Sequence, residues 1–339
     1  MTDAVRQTQA PAMLAALEDD LRTCLAELSD DRYRGLAEMV RHHFGWDRND
    51  GDQGGKRVRP LLTLLCASAA GDDWRRALPA ASSVELIHNF TLIHDDIEDS
   101  SETRRGRPTV WSLWGVPQAV NTGDFVYAAS HLACHRLTER GVSATTAYAV
   151  QHRLDLACVS LTRGQHLDLA FERAESVLAE DYLEMISGKT AALIAAAAAV
   201  GAQTAEARPE VTDAFHRFGW NLGMAFQLLD DVLGIWGEPG ETGKSSADDL
   251  RQGKKTYPVL LGLETSEEFA HLWAARPNGS PEIVPLQRAL EACSADRRTR
   301  ERAEAYTREA MRALEQAGPL PPAAAELEGL AQRLLQRDR

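Results

Sequence analysis

The sequence of 339 residues offers little for covalent stabilisation. Its five cysteines are odd in number and scattered, and no C-x-x-C spacing occurs, so they indicate small buried apolar residues in a reducing cytosol rather than a disulfide framework. They are Cys24, Cys66, Cys134, Cys158 and Cys293. The N-terminal residues 1–13 also lack the basic-then-apolar order of a secretory signal. We therefore expect a cytoplasmic protein.

Long apolar runs and alternating strand patterns are scarce as well. The most apolar run, residues 191–202, is shorter than the about 20 residues that cross a bilayer, so it predicts a tightly packed buried helix and no membrane span. Helix formers dominate, and residues 13–28 carry apolar side chains at three-to-four spacing. The sequence therefore predicts an all-α protein, with residues 1–339 forming a single domain because no segment has the composition of a linker.

The predicted helices follow apolar periodicity and are bounded by segments rich in glycine, proline and charge. Beyond residues 13–28 they comprise residues 60–70, 82–99, 120–137, 144–172, 179–202, 211–237, 285–317 and 323–336. Loops are predicted at residues 47–55, 101–109, 237–255 and 276–285.

Positive charge is in deficit. The net charge of −13 argues against a general surface for nucleic acid or anionic membrane. An acidic chain that binds an acidic ligand needs local basic residues or metal ions.

One acidic cluster ends the apolar segment 82–99. On a helix, Asp95, Asp96 and Asp99 share one side, where their carboxylates repel one another unless a cation compensates them. Oxygen ligands without nearby histidine or cysteine sets favour Mg²⁺. The alternative is a solvated acidic helix end, which the apolar segment before it makes less favourable.

A second acidic pair, Asp230 and Asp231, ends the apolar segment 211–237 in the same way. Gly234 stands where the first cluster has Asp99, so this second site has fewer ligands. By itself the pair is equally consistent with a surface feature. Together the two segments suggest two facing helices that each present acids at one end.

Basic residues accompany both acidic clusters. A flexible loop before a helix, or an arginine fork, is suited to bind phosphate oxygens, although each group alone could be a solvated basic loop. A lysine inside an apolar helix, such as Lys189 beside Thr190, is costly unless it is paired. The cations are Lys56, Arg57, Arg59, Arg104, Arg105, Arg107, Lys189, Lys244, Lys254 and Lys255. A diphosphate that is bridged to carboxylates by Mg²⁺ and contacted by lysine and arginine satisfies both sets, and apolar helices suit a hydrocarbon tail.

At these residues the chain resembles a trans-isoprenyl diphosphate synthase of the polyprenyl synthetase family. The resemblance extends over nearly the whole chain and depends on the order of the motifs GGKRVRP, HNFTLIHDDIEDSSETRRGRPT, GQHLDL, GKT, FQLLDDVLG and GKSSADDLRQGKKTYP. It implies an isoprenoid synthase type helical bundle around a central cavity, usually a homodimer. The implied reaction is Mg²⁺-dependent head-to-tail condensation of isopentenyl diphosphate with an allylic diphosphate of C5–C15.

The resemblance also implies roles for individual residues. Lys56, Arg59, His88 and Arg105 match the isopentenyl diphosphate site. Contacts to the allylic diphosphate are implied for Arg104, Lys189, Thr190, Gln227, Lys244 and Lys254. Asp95, Asp96, Asp99, Asp230 and Asp231 match the Mg²⁺ ligands, with about three ions once diphosphate is bound. Catalysis would depend most on Asp95, Asp96, Arg104, Lys189, Thr190, Gln227 and Asp230.

Product length is expected to depend on Phe90 and Thr91, five and four residues before Asp95. These positions lie about one turn below the first aspartates, at about 1.5 Å per residue. A single aromatic at the fifth position resembles C20 synthases, so geranylgeranyl diphosphate is the expected product and farnesyl diphosphate (C15) the alternative. Plain core packing is the other interpretation of Phe90.

Other interpretations remain at this stage. A terpene cyclase would use similar acids but would not need an isopentenyl site. A non-catalytic synthase-like subunit would keep the fold, and Gly234 leaves that role open. His42 and His43 suggest a metal pair, but no acid-histidine spacing supports one, so both are interpreted as surface histidines.

Overall fold

The structure, a computed structural model, describes residues 8–28, 31–47, 55–237, 247–275 and 282–335. Within these ranges, strand is confined to the two-residue segments β1 (Thr103–Arg104) and β2 (Arg107–Pro108), which pair antiparallel. The predicted all-α class is therefore confirmed. The hairpin lies inside the predicted loop 101–109.

The first half of the chain forms helices that are separated by short turns. They are α1 (Ala10–Glu27), α2 (Arg34–Phe44), α3 (Val58–Ala69), α4 (Leu78–Glu98), α5 (Val110–Trp114), α6 (Val116–His135) and α7 (Ala144–Arg173). Short 3₁₀ segments lie at Asp31–Tyr33, Trp74–Ala77 and Arg136–Arg140.

The second half continues the helical pattern. Its helices are α8 (Ala179–Ile186), α9 (Ala192–Thr204), α10 (Pro209–Trp236), α11 (Asp248–Gln252), α12 (Tyr257–Thr265), α13 (Glu267–Ala275), α14 (Ile283–Ala292), α15 (Ala295–Ala317) and α16 (Ala323–Leu335). The predicted helix 285–317 is interrupted because Ser294 adopts a positive φ of 58°. Helices α2, α5, α11, α12 and α13 were not predicted.

The chain divides into two compact units. Unit 1 contains residues Met1–Asp155, Ala197–Thr212 and Gly318–Leu327; unit 2 contains Leu156–Ala196, Asp213–Ala317 and Glu328–Arg339. The single domain over residues 1–339 stays a prediction.

Unit 1 is organised around α4, which packs mainly against α6 and also against α3 and α1. The small residues Ala80, Ala81, Ser82 and Ser83 are buried in its first turns and let neighbouring helices approach closely. Farther along, Leu86 and Ile87 are fully buried, and each such side chain contributes about 1.5–3 kcal/mol relative to exposure. This burial fixes the direction in which α4 delivers its acidic end.

Unit 2 has a separate apolar core that surrounds α12. The fully buried Leu260, Phe269 and Leu290 come from α12, α13 and α14. Leu228 on α10 belongs to the same cluster, so the helix that carries the second acidic pair is anchored in this core.

The segment Ala179–Thr204 is 26 residues long and apolar enough to cross a membrane by length and composition alone. It is longer than the apolar run 191–202 because α8 and the residues Ser187–Ala191, which have π-helical geometry, continue directly into α9. Since 78% of its most apolar window is buried inside the protein, the predicted buried helix is confirmed.

Candidate active site

The first acidic motif lies at the end of α4 in unit 1. Asp96 is 2% exposed, Asp95 is half-buried, and Asp99 is exposed at the C-cap, where its N–H donates to the Asp95 carbonyl at 2.8 Å. A helix C-terminus carries partial negative charge, so carboxylates there are unfavourable without a compensating cation. The carboxylates at the end of α4 therefore need a positively charged group nearby.

Arg104 on β1 provides this positive charge by pairing with Asp96. Its Nε donates to Asp96 Oδ1 at 2.7 Å. Burial nevertheless raises the pKa of Asp96, because the loss of water outweighs the attraction of Arg104. The pair brings together one predicted metal ligand and one predicted diphosphate contact.

The β1–β2 hairpin is held in place by Arg107. Its guanidinium donates to both carboxylate oxygens of Asp47, at 2.7 and 2.8 Å, and to the carbonyl of His42 at 2.9 Å. The His42 ring also bonds the carbonyl of Pro108 at 2.9 Å. Arg107 and His42 therefore attach the hairpin to α2, and this attachment orients Arg104.

Two of the predicted isopentenyl-site residues, Arg59 and His88, are in direct contact in unit 1, and a third, Arg105, lies against Gly55. Arg59 donates to His88 Nε2 at 3.2 Å. Gly55, directly before Lys56, approaches Arg105 so closely that a Cβ on it would lie 2.6 Å from Arg105 Nη1. Lys56 itself is exposed. Gly55 has a φ of 150°, which residues with a Cβ rarely adopt, and this conformation accounts for a glycine at this position of the basic loop.

Burial sets the protonation of His88. Desolvation, with the positive charge of Arg59 and Arg105 added, holds the pKa of His88 well below its ordinary value. Its Nε2 faces a donor that is always charged, so this nitrogen accepts and the proton of the neutral ring lies on Nδ1. His88 therefore has one N–H available to a ligand.

A buried polar chain behind this region was not predicted. Arg57 Nη1 donates to Glu85 Oε1 at 2.7 Å, and Asn89 Nδ2 donates to the same oxygen at 2.9 Å. Asn89 Oδ1 thus faces His43 Nε2 at 3.1 Å and must accept its proton. Arg57 is consequently an internal ion-pair partner. The sequence signal was the pair of polar residues Glu85 and Asn89 on an otherwise buried helix.

The interpretation of His42 and His43 as surface histidines was wrong. Each of the two histidines makes a specific hydrogen bond. His43 is half-buried and lines a pocket together with Asp96, Arg104 and Arg105. Burial, helped by the charge of Arg104, lowers the pKa of His43 to about 3, so the ring is neutral.

In unit 2, Lys189 lies in the Ser187–Ala191 segment of π-helical geometry, and such single-turn segments often mark functional positions. Its Nζ pairs with Asp168 Oδ2 on α7. The two elements can approach because residue 164 is glycine: a Cβ there would lie 2.1 Å from the Lys189 backbone nitrogen. Asp168 is thus the partner that Lys189 requires inside an apolar helix. The sequence analysis did not predict a role for Asp168.

Thr190, Gln227 and Asp231 form a hydrogen-bonded series in unit 2. Thr190 Oγ1 donates to Gln227 Oε1 at 2.8 Å, and Gln227 Nε2 donates to Asp231 Oδ1 at 3.0 Å. Asp231 Oδ2 accepts from the Tyr182 hydroxyl at 2.7 Å and from the Tyr257 N–H at 3.3 Å. Burial raises the pKa of Asp231 to about 8. Both oxygens are engaged inside the protein, so Asp231 orients Gln227.

The other predicted residues of unit 2 are more open. Asp230 is exposed one position before Asp231, and Lys254 is exposed after α11. Lys255 caps α7 by donating to the carbonyls of Phe171 at 2.6 Å and Ala174 at 2.7 Å. Lys244 lies outside the described residues.

No group of three or more histidine, cysteine, aspartate or glutamate side chains is arranged to hold a metal ion within the described ranges. The acidic helix ends still fit Mg²⁺ chemically, because they offer only oxygens and Mg²⁺ often takes one or two carboxylates with water and substrate phosphate. Asp95, Asp96, Asp99 and Asp230 are the residues that could supply them.

Phe90 is 8% exposed, and its ring centroid lies 4.7 Å from that of Tyr127 on α6. Thr91 is buried and donates to the carbonyl of His88 at 2.8 Å. The predicted chain-length position is therefore one half of an aromatic pair.

These features define a class: an all-helical protein with acidic helix ends and arginine and lysine beside acidic residues. A profile of the Polyprenyl synthetase family matches residues 49–289. The geranylgeranyl diphosphate synthase of Mycobacterium tuberculosis is 41% identical over 268 residues, 78% of this chain and 75% of that protein. A (2E,6E)-farnesyl diphosphate synthase of Mycobacterium bovis is 41% identical over 262 residues, 76% of this chain and 72% of that protein.

The solved structures agree. Geranylgeranyl pyrophosphate synthase from Corynebacterium glutamicum, complexed with isoprenyl diphosphate and magnesium, superposes with a TM-score of 0.84 at 29% identity and covers 97% of this chain and 99% of its own. The chain therefore belongs to the polyprenyl synthetase family. It is a prenyltransferase of the class that elongates prenyl chains, and the resemblance in its motifs is confirmed.

The neutral, half-buried His43 predicts that the free energy of unfolding depends on pH. The pKa of His43 is about 3 in the folded protein and 6.5 in an unfolded reference. The contribution of the neutral ring to the free energy of unfolding is therefore complete above pH 6.5 and is lost as the pH falls towards 3. We expect the wild type to lose about 1–2 kcal/mol more unfolding free energy than His43→Gln between pH 7 and pH 5, measured by urea denaturation. His135→Gln, at an exposed histidine, is the control. Equal pH slopes for wild type and His43→Gln would refute the assignment.

Proposed function

We propose that this protein catalyses the Mg²⁺-dependent head-to-tail condensation of isopentenyl diphosphate with an allylic diphosphate to give geranylgeranyl diphosphate. The observation that carries the proposal is the pairing of acidic with basic side chains, at the end of α4 and between α7 and the Ser187–Ala191 segment. Asp96 with Arg104 and Asp168 with Lys189 place both signs of charge within hydrogen-bond reach. A Mg²⁺-diphosphate is a ligand that needs both.

In unit 1 the proposed isopentenyl diphosphate residues are Lys56, Arg59, His88 and Arg105. Arg59 and Arg105 supply guanidinium forks, which suit phosphate oxygens, and His88 supplies a neutral N–H. The exposed Lys56 adds a mobile point charge. The hydrogen bonds of the Arg57–Glu85–Asn89–His43 series fix the positions of these four buried or half-buried side chains next to the proposed isopentenyl diphosphate residues.

In unit 2, Lys189, Thr190, Gln227 and Lys254 are the proposed residues for the allylic diphosphate, with Lys244 in the same role but outside the described residues. Asp231 holds the Gln227 amide so that its oxygen points to Thr190. This orientation leaves oxygen dipoles available where positive charge develops on the allylic carbons. Arg104 is proposed to bind a diphosphate as well.

Bound Mg²⁺, in about three ions, would neutralise diphosphate charge and make the diphosphate a better leaving group. Asp95, Asp96, Asp99 and Asp230 are proposed to hold it, with Asp231 supporting the second motif. Lys189 and Arg104 stabilise the departing diphosphate by direct donation. No described side chain is required as a dedicated base, and the released diphosphate is proposed to accept the proton lost from the isopentenyl unit.

The proposed C20 product rests on Phe90, the only aromatic of the two positions below the first aspartates. Its contact with Tyr127 makes it a firm barrier, since aromatic pairs add about 0.5–1.5 kcal/mol beyond their buried area. Relatives are named for both C20 and C15 products, so farnesyl diphosphate is the second candidate. A non-catalytic subunit or a terpene cyclase is disfavoured because Lys56, Arg59, Arg105 and Asp95 are all present.

A homodimer in the cytoplasm is proposed from the outer face of α6. Val116 and Val120 lie one turn apart and are 45% and 41% exposed, and Leu132, near the C-terminal end of the same helix, is 47% exposed. Exposed apolar side chains of this kind favour burial against a second copy of the chain. None of the five cysteines forms a disulfide, as is usual in the cytosol.

The reaction is tested with labelled isopentenyl diphosphate, Mg²⁺ and C5, C10 or C15 allylic diphosphates, with products separated by chain length. We expect C20 product from the wild type. Arg59→Gln should lower kcat/KM for isopentenyl diphosphate about tenfold or more, because a hydrogen bond to a charged group contributes about 1.5–3 kcal/mol. Arg153→Gln, a cation bonded to Gln203, is the matched control. Folded protein that forms no product from any allylic substrate would instead support the non-catalytic subunit.

Chain length is tested with Phe90→Ala. Removing the ring is expected to open the space below the first aspartates and shift products beyond C20, seen by chromatography of the dephosphorylated alcohols. Ala is also expected to lower stability by about 3–5 kcal/mol, so folding is checked by thermal unfolding. An unchanged product distribution from folded protein would show that Phe90 is core packing alone.

The homodimer is tested with Leu132→Asp. A charge on the outer face of α6 should convert dimer to monomer in light scattering while the protein remains folded, because that side chain is already 47% exposed. Asp124→Asn, on the same exposed face but without a new charge, should stay dimeric. A wild-type monomer, or a Leu132→Asp dimer, would contradict this surface.

A further inference from the structure

Two adjacent lysines in the segment that connects α11 to α12, residues 253–256, have different surroundings. Lys254 is exposed, whereas Lys255 is half-buried. The Nζ of Lys255 donates to the carbonyls of Phe171 at 2.6 Å and Ala174 at 2.7 Å. It also donates to the carbonyl of Glu172 at 3.3 Å. An ammonium group has three N–H donors, so these three carbonyls match its donor set.

The three carbonyls lie at the C-terminal end of α7, which ends at Arg173. The last carbonyls of a helix have no partner within the helix and carry partial negative charge, so a lysine there supplies both hydrogen bonds and a compensating charge. Asp168 lies about one turn before Phe171 on the same helix and pairs with Lys189. The end of α7 therefore serves as a common attachment for Lys255 and for the Asp168–Lys189 pair.

The residues on both sides of Lys255 are also fixed by hydrogen bonds. Before it, the Lys254 N–H donates to the carbonyl of Asp249 on α11 at 2.9 Å. After it, Tyr257 is 7% exposed, and its N–H donates to Asp231 Oδ2 on α10 at 3.3 Å. Residues 254–257 thus contact α11, α7 and α10 in turn, and the ammonium of Lys255 supplies the contact to α7.

We propose that Lys255 is a positioning residue for the allylic diphosphate, and that it acts through Lys254. By attaching the connecting segment to α7, Lys255 fixes the backbone that carries Lys254 to the same helix that pairs with Lys189. A fixed backbone lowers the conformational entropy that is lost when Lys254 binds a ligand, and this raises the affinity. The inference rests on the proposed function, in which Lys189 and Lys254 contact the allylic diphosphate.

The test compares the KM for geranyl diphosphate, a C10 allylic substrate, with the KM for isopentenyl diphosphate in the full-length protein. Lys255→Met keeps an apolar stem and removes the ammonium. We expect the KM for geranyl diphosphate to rise about tenfold, the effect of losing one hydrogen bond to a charged group. The KM for isopentenyl diphosphate should change less than about twofold, because its proposed residues lie in unit 1.

Two further variants control for general damage to the fold. Lys255→Arg should recover most of the affinity for geranyl diphosphate, because a guanidinium also donates to helix carbonyls. Arg217→Met removes a cation of the same unit whose guanidinium donates to Gln316 at 2.9 Å, and it should leave both KM values within about twofold. Thermal unfolding is measured for every variant. If Lys255→Met fails to fold, Lys255→Gln, which keeps N–H donors, takes its place.

A double-variant cycle separates positioning from direct binding. Lys254→Met alone should raise the KM for geranyl diphosphate about tenfold. Adding Lys255→Met to Lys254→Met should raise this KM by less than about threefold more, because residues that act through one another are non-additive.

Three outcomes would overturn the inference while the wild type still condenses its substrates. Effects of Lys254→Met and Lys255→Met that multiply in the double variant would make Lys255 a direct diphosphate ligand. A Lys255→Met variant with a lower melting temperature but both KM values unchanged would make it a helix cap alone. An equal rise of both KM values would indicate a general distortion. A wild type that neither binds geranyl diphosphate nor condenses it would overturn the proposed function and this inference with it.

Discussion

Carboxylates at buried or half-buried positions need partners of opposite charge or hydrogen-bond donors, and the arrangement of the site depends on that constraint. Burial removes water from the carboxylate, and a helix C-terminus adds the negative end of the helix dipole. Asp96 is compensated by Arg104, whereas Asp231 is compensated by three donors and Asp168 by Lys189. Apart from Gln227, which lies on α10 with Asp231, each compensating group comes from a different element than its acid, so satisfying the acids also positions the cations.

The same partners give the site its chemical selectivity. Because Asp231 accepts from Gln227 Nε2, the Gln227 amide has one orientation, and its oxygen accepts from Thr190. His88 and His43 are neutral since burial and nearby arginines disfavour further positive charge. A region with guanidinium groups and neutral N–H donors is suited to bind an anion. These are the properties expected of a diphosphate site in a polyprenyl synthetase.

Much of the fold could be predicted from periodicity. The predicted segments 82–99 and 211–237 correspond to α4 (Leu78–Glu98) and α10 (Pro209–Trp236) within a few residues. Helices α2 and α13 are short, with 11 and 9 residues, and offer few turns for periodicity to be recognised, although Leu36, Met39, Val40 and Phe44 of α2 do keep three-to-four spacing. The division of 285–317 into two helices depends on one backbone conformation at Ser294, for which serine carries no strong signal.

The sequence alone determined the helical class, the two acidic helix ends and the family, because each depends on residue chemistry at short spacing and on motif order. Only the tertiary structure decided which partners those residues have. Arg57 lies inside the protein, where it pairs with Glu85, and Lys189 pairs with Asp168. The space beside Gly234 is occupied by the Asp249 carboxylate. These partners lie many residues apart in sequence, and packing of separate helices selects one among several possible cations or acids.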